Sequence, residues 1–319
     1  MEAREVTHND ARTVFQILLW FLFIIAILSV GARLGTKYAM ARKLALADWI
    51  LIAAQSAYLA QCVSISLGAS QGLGDSASQL GEYAVEDFLQ AEYASFVFQL
   101  ITLALIKWSI SASIQQLSPS AQHKRLDLIL RIVVGIWLLT AVLTSLFQCA
   151  LPTPWDYLHG SQCINRRAWW TYVTLINIAT EFSIVGLYFL IIAKLRMSLA
   201  RRSLVLIVFS TRLLIVGVAL TQLAIFLRVS PTSDLTKDLW LPTVLNQATL
   251  ATSVVTACGP YLRPFMESLE SGMARVENLP GSELDLSHRR PGSNAHYMSG
   301  FGSSAACSSG NGSVTPMTC

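Results

Sequence analysis

The sequence predicts an all-α, polytopic membrane protein with seven transmembrane helices, the N-terminus outside and a disordered C-terminal tail in the cytoplasm. Three observations carry this. Of 319 residues, 53% are hydrophobic and 13% charged, against about 25% charged in an ordinary soluble chain, and the mean hydropathy is +0.51. The apolar residues gather into runs of roughly 20 or more, enough to cross a ~30 Å hydrocarbon core as helices. Lys and Arg crowd into alternate loops, which sets the orientation.

Taken in order, the first span covers about 14–32, around QILLWFLFIIAILSV. Acidic residues precede it and it lacks a small-x-small cleavage site, so it reads as a helix and not a signal peptide. The second covers about 44–69, from LALADWILIAAQ, and the third about 86–112, ending LITLALIKWSISA. The fourth covers about 128–150, LILRIVVGIWLLTAVLTSLFQCA, and the fifth about 168–194, AWWTYVTLINIATEFSIVGLYFLII. The sixth covers about 203–228 and the seventh about 241–262, LPTVLNQATLATSVVTACGPYL, the least apolar. Residues 1–13 form an extracellular N-terminus, 14–265 the transmembrane domain and 266–319 the tail. A short helix over PFMESLESGMARVEN leads into that tail. Beyond it, GSNAHYMSGFGSSAACSSGNGSVT buries too little apolar surface to offset the entropy of ordering. The sequon at Asn311 falls on the cytoplasmic side and stays unmodified.

The cations fix which side is which. Arg33, Lys37, Arg42 and Lys43 follow span one. Lys124 and Arg125 precede span four, with Arg131 just inside it, and Lys194, Arg196, Arg201 and Arg202 follow span five. The opposite side holds Arg166, Arg167, Arg228 and Lys237, with Arg4 and Arg12 in the N-terminus. The first, third and fifth loops therefore face the cytoplasm.

The stretch FQCALPTPWDYLHGSQC, Phe147–Cys163, joins spans four and five outside, where a disulfide is permitted. A Cys149–Cys163 bond closes a ring of about 15 residues and contributes roughly 3 kcal/mol. It staples a lid over the outer mouth, with Trp155, Tyr157, Trp169 and Trp170 at the interface. Two free buried thiols, or Cys62 as partner, are the alternatives.

Ionisable residues inside spans mark sites by default. Glu181 lies near the middle of span five and Arg212 within span six, about 7 Å nearer the cytoplasm by helical rise. Asp48 and Lys107 lie at comparable depth on the inner side and form a candidate polar pair. Asn177 shares a helical face with Glu181, and Asn246 and Gln247 on span seven add hydrogen-bonding groups. Glu181, Arg212, Asn177, Asn246 and Gln247 are thus the ligand-pocket candidates, against the plainer alternative of structural clamps. Glu82, Glu86, Asp87 and Glu92, with Asp75, crown the outer end of span three, a solvated rim with a cation site as the alternative. Span seven has no Lys for a retinal Schiff base, there is no phosphate-binding Gly loop, and the five His fall in loops or tails. No cofactor, metal or nucleic-acid partner is expected. Spans one to six contain almost no Pro, and the chain shows no internal duplication, unlike broken-helix transporters.

Five stretches in order resemble the fungal-type rhodopsin-domain proteins: ARKLALADWILIAA, KWSI at Lys107–Ile110, FQCALPTPWD…GSQCI, INIATE at Ile176–Glu181, and ACGPYLRPF at Ala257–Phe265. The resemblance covers roughly residues 30–266 and implies a seven-helix integral membrane protein of the plasma membrane or an endomembrane. Some relatives are receptor-like; others, of the satratoxin-cluster type, are encoded beside secondary-metabolite genes. Glu181 stands where the family has Asp, and Gly186 where Pro is common. Asp-Arg-Tyr and Asn-Pro-x-x-Tyr are absent from spans three and seven, so coupling to a G protein is left open. The leading expectation is a receptor-like protein sensing a small lipophilic ligand between spans three, five, six and seven under the stapled lid. The alternatives are a cyclase- or isomerase-like membrane enzyme, with Glu181 or Asp48 protonating a terpenoid-like substrate, and an accessory or transport role in secondary metabolism.

Overall fold

The computed structural model describes residues 2–72, 82–117, 121–150, 152–156, 163–194, 199–228 and 240–277. Helices stand at all seven expected positions: α1 (Glu2–Ala41), α2 (Leu46–Gly72), α3 (Glu82–Leu117), α4 (Ala121–Leu146), α5 (Arg166–Lys194), α6 (Leu199–Arg228) and α7 (Trp240–Glu277). Contacts divide the chain into Met1–Met273 and Ala274–Cys319, and the bundle belongs to the first unit. Of the second, only 274–277 is described. The sequon, Asp75, Tyr157, Cys307 and Cys319 lie outside the described residues.

Among the described residues, five helices are long and apolar enough to cross a bilayer: Arg12–Ala39, Leu46–Ser70, Val85–Ser113, Ala121–Leu146 and Arg166–Ile191. A shorter apolar stretch, Arg212–Ile225, lies in α6. On α7, Asn246, Gln247, Thr249, Ser253 and Thr256 dilute the apolar content. The chain is an integral, multi-pass membrane protein.

Three boundaries differ from the sequence reading. Helix α1 begins at Glu2, so most of the expected N-terminal segment is helical. Helix α4 starts at Ala121 and stops before Phe147, which brings His123, expected in a loop, into its first turn, where it is buried. His8 lies in α1. Helix α7 continues through Pro260 and Pro264 to Glu277, although each proline withholds one N–H from the helical ladder.

The bundle is apolar both in its core and on its outer surface, unlike a soluble protein. On α4, Leu130, Val134, Trp137, Ala141 and Ser145 recur at helical spacing and are buried. Ile129, Ile132, Ile136, Leu139 and Leu143 on its other faces are exposed, the surface that lipid covers. Of the five candidate spans α3 is the most enclosed; it packs on α2 and α4, while α5 packs on α4 and α6. Small residues let α2 and α3 approach closely: a Cβ on Gly68 would stand 2.9 Å from Cβ of Ala91.

The α1–α2 corner is built locally. Arg42 takes a φ of 49° after α1, the left-handed turn that commonly ends a helix. Asp48 then reaches back with Oδ2 to accept the N–H of Ala45 at 3.0 Å, capping α2 in the manner of a capping box.

Candidate functional site

Helices α3, α5 and α6 meet around three buried charges. Glu181 Oε1 accepts from Lys107 Nζ at 2.6 Å, and its Oε2 accepts from Arg212 Nη1 at 2.5 Å. The three side chains are at most 3% exposed. Lys107 spends all three of its donors here, the other two going to Thr180 Oγ1 at 2.9 Å and the carbonyl of Asn177 at 3.3 Å. The expected Glu181–Arg212 pair is present. The Asp48–Lys107 pair is not: similar depth put both residues at one level, but Lys107 points from α3 towards α5. Two cations and one carboxylate leave a formal charge of +1. Among the described residues, Arg212 Nε and Nη2 make no hydrogen bond.

Asp48 belongs to a second buried network that sequence reasoning missed. Its Oδ1 accepts from Arg33 Nε at 3.2 Å and Nη2 at 3.0 Å, and its Oδ2 from Lys37 Nζ at 2.8 Å. Arg33 is fully buried and also donates to the Ala257 carbonyl at 2.8 Å and to Ser113 at 3.2 Å. One guanidinium thus ties α1 to α2, α3 and α7. In the sequence Arg33 and Lys37 stand out only as topology charges. A third network joins α3 to α4: Ser111 donates to Asp127, Arg131 Nε donates to Ser111 at 2.5 Å, and Arg131 pairs with Asp127 at 3.1 Å.

Towards the end that carries the Cys149–Cys163 disulfide, the bundle holds a chamber of amides. Asn246 Oδ1 on α7 accepts from Gln99 Nε2 on α3 at 2.9 Å and from Gln222 Nε2 on α6 at 2.7 Å. Around this knot lie two adjoining cavities of about 40 Å³ and 30 Å³, with Phe96, Trp137 and Trp170 as aromatic wall. Asn177 lines the second, while Glu181 and Arg212 line neither. Gln247 does not face the chamber: its Oε1 lies 4.0 Å from the thiol of Cys62 on α2. Cys62 is free and buried, so it is not the disulfide's partner. Near the same end Phe96 packs edge-on against Trp169, their centroids 4.9 Å apart. Glu92 of the expected acidic rim pairs with Arg166 at 2.9 Å and lines the first cavity.

A family model described as the fungal rhodopsin domain matches residues 32–268. The chain belongs to this family. No curated protein matches it. The segments that resemble other fungal rhodopsin domains supply the polar interior. ARKLALADW contributes Asp48. KWSI contributes Lys107, Trp108, which donates to the Arg131 carbonyl at 3.3 Å, and Ser109, which donates to the Ala47 carbonyl at 2.7 Å. INIATE contributes Asn177, Thr180 and Glu181. ACGPYLRPF contributes Ala257, whose carbonyl meets Arg33 three residues before Pro260.

Gln61, Gln99 and Gln222 are the chamber residues that sequence reasoning passed over. The signal was available, because an amide inside an apolar span is costly unless it finds a partner.

Proposed function

We propose that this fungal rhodopsin-domain protein is receptor-like, with α6 and α7 completing seven spans and the disulfide loop outside. It holds a small lipophilic molecule bearing one or two oxygen functions in the amide-lined chamber. Binding is read by the Lys107–Glu181–Arg212 cluster. The observation that carries this is the position of Asn177. Its residue lines the chamber, and its carbonyl accepts from Lys107. A ligand that displaces Asn177 therefore disturbs the charge cluster directly.

The chamber's size supports a conformational response. Cavities of about 40 Å³ and 30 Å³ have room for waters, whereas ligand pockets run to about 300–1,000 Å³. Entry requires Asn246 to release Gln99 or Gln222, which separates α7 from α3 or α6. A ligand shifts a conformational equilibrium only by its difference in affinity for the two states, and exchanging these amide bonds for its own supplies that difference. The aromatic wall favours an apolar body, and the amides favour carbonyl or hydroxyl oxygen. A product of secondary metabolism has this chemistry, as the family resemblance implies.

The enzyme alternative fares less well on geometry. Glu181 and Asp48 each face two cations, so neither is placed as a proton donor. The test is affinity selection: purified protein is incubated with an organic extract, and retained compounds are identified by mass spectrometry. The proposal expects a compound retained by the wild type and lost from Asn246→Leu and Gln222→Leu. Retention unaffected by both substitutions defeats it.

A further inference from the structure

A roomier cavity lies away from the chamber. Between α4 and α5 a groove of about 430 Å³ is walled by Leu126, Ile129 and Val133 on one side and Ile176, Leu187 and Leu190 on the other. Leu126, Ile129, Val133 and Leu190 are exposed, on two helices apolar enough to span a bilayer. An occupant therefore arrives from the hydrocarbon phase. Its volume lies in the range of ligand pockets.

Two hydroxyl-bearing residues, Thr180 and Ser183, stand among the apolar lining. Thr180 Oγ1 donates to a carbonyl of its own helix and accepts one bond from Lys107 Nζ. Ser183 Oγ donates to the Ala179 carbonyl at 2.8 Å. A hydroxyl has one donor and two acceptor lone pairs. Both donors are spent on the helix, and each oxygen keeps an acceptor site. The groove thus asks its occupant for a hydrogen-bond donor. Depth narrows the class further. Thr180 is the central residue of α5 (Arg166–Lys194), roughly 20 Å from either helix end at 1.5 Å per residue. A phospholipid headgroup does not reach that depth.

We propose that the α4–α5 groove binds a hydrocarbon alcohol, a molecule wholly apolar except for one hydroxyl, which donates to Thr180 or Ser183. Through Thr180 such an occupant adjoins Lys107 and the buried charge cluster. The site is separate from the chamber and stands or falls independently of it.

Gly186 provides the control. It lines the groove, and a Cβ there meets nothing within 4 Å. Gly186→Leu starts a side chain into that open space and replaces glycine with a better helix former. The experiment uses the full chain in lipid nanodiscs with two photoreactive probes, a diazirine-bearing prenyl alcohol and its methyl ether, which has no donor. Cross-linked peptides are mapped by mass spectrometry. The proposal expects saturable labelling of residues 126–133 and 176–190, competed by the unlabelled alcohol. It expects labelling about tenfold weaker for the ether, the loss of one hydrogen bond, and loss of labelling in Gly186→Leu. Labelling spread evenly over the lipid-facing helices, equal labelling by the ether, or labelling unchanged in Gly186→Leu each overturns it. Even labelling identifies the groove as filled by ordinary acyl chains.

Discussion

Replacing Glu181 with glutamine should destabilise the bundle more than removing either cation it holds. The wild-type cluster carries two positive charges and one negative, all at most 3% exposed. Glu181→Gln leaves +2 with no counter-charge, and the new amide presents an N–H₂ to one of the two cations. Lys107→Met instead leaves the neutral pair Glu181–Arg212. Stripping the partner from a buried charge costs about 3–5 kcal/mol. In a domain of this size 1 kcal/mol moves the melting temperature by about 2–4 °C, so Glu181→Gln should lower it by roughly 10 °C. The double variant Lys107→Met/Glu181→Gln returns to +1 and should lose less than the sum of the two single losses, the mark of coupled sites. Thermal unfolding of purified protein in detergent measures all three. If Lys107→Met is as damaging as Glu181→Gln, or if the two losses add, the charge argument is wrong.

Other consequences follow from the same geometry. Asp48→Asn removes the carboxylate from Arg33 and Lys37; with Lys37 14% exposed, the loss should be about 3 kcal/mol, at the lower end for a broken buried pair, read from the same melting curves. Opening the ring at Cys149→Ser should cost roughly 3 kcal/mol, and reductant should lower the wild-type melting temperature while leaving the variant unchanged. Gly68→Ala places a Cβ 2.9 Å from Ala91 and should cost about 1–3 kcal/mol by overpacking α2 against α3; a melting temperature at or above wild type would contradict the close approach.

Hydrophobic run length made the helices legible, because the bilayer demands long apolar stretches whatever their partners. It also brought Glu181 and Arg212 together, since both had to find counter-charges inside the membrane. Rotation about the helix axis was not legible. Lys107 and Asp48 matched in depth, yet α3 turns Lys107 towards α5, and Asp48 is claimed by Arg33 and Lys37 from α1. Gln247 failed for the same reason: it neighbours Asn246 in sequence, but successive helical residues do not share a face. Asp127 was lost to a boundary, because the expected fourth span began one residue after it while α4 starts at Ala121. Arg33, counted for topology at the end of span one, lies inside the longer α1 (Glu2–Ala41). The Cys149–Cys163 pairing was one of three alternatives the sequence left open, and the bond itself with Cys62 free and buried decides among them.

The central claim is that Glu181 is an ionised counter-ion held between two cations, and not a proton-donating acid. Infrared spectroscopy of the membrane-reconstituted protein tests this directly, with Glu181→Gln as the difference reference. An ionised Glu181 gives a carboxylate stretch that disappears in Glu181→Gln and shifts in frequency when a retained ligand binds. A protonated carboxyl C=O band that disappears in Glu181→Gln would contradict it and restore the acid role on which the enzyme alternative depends.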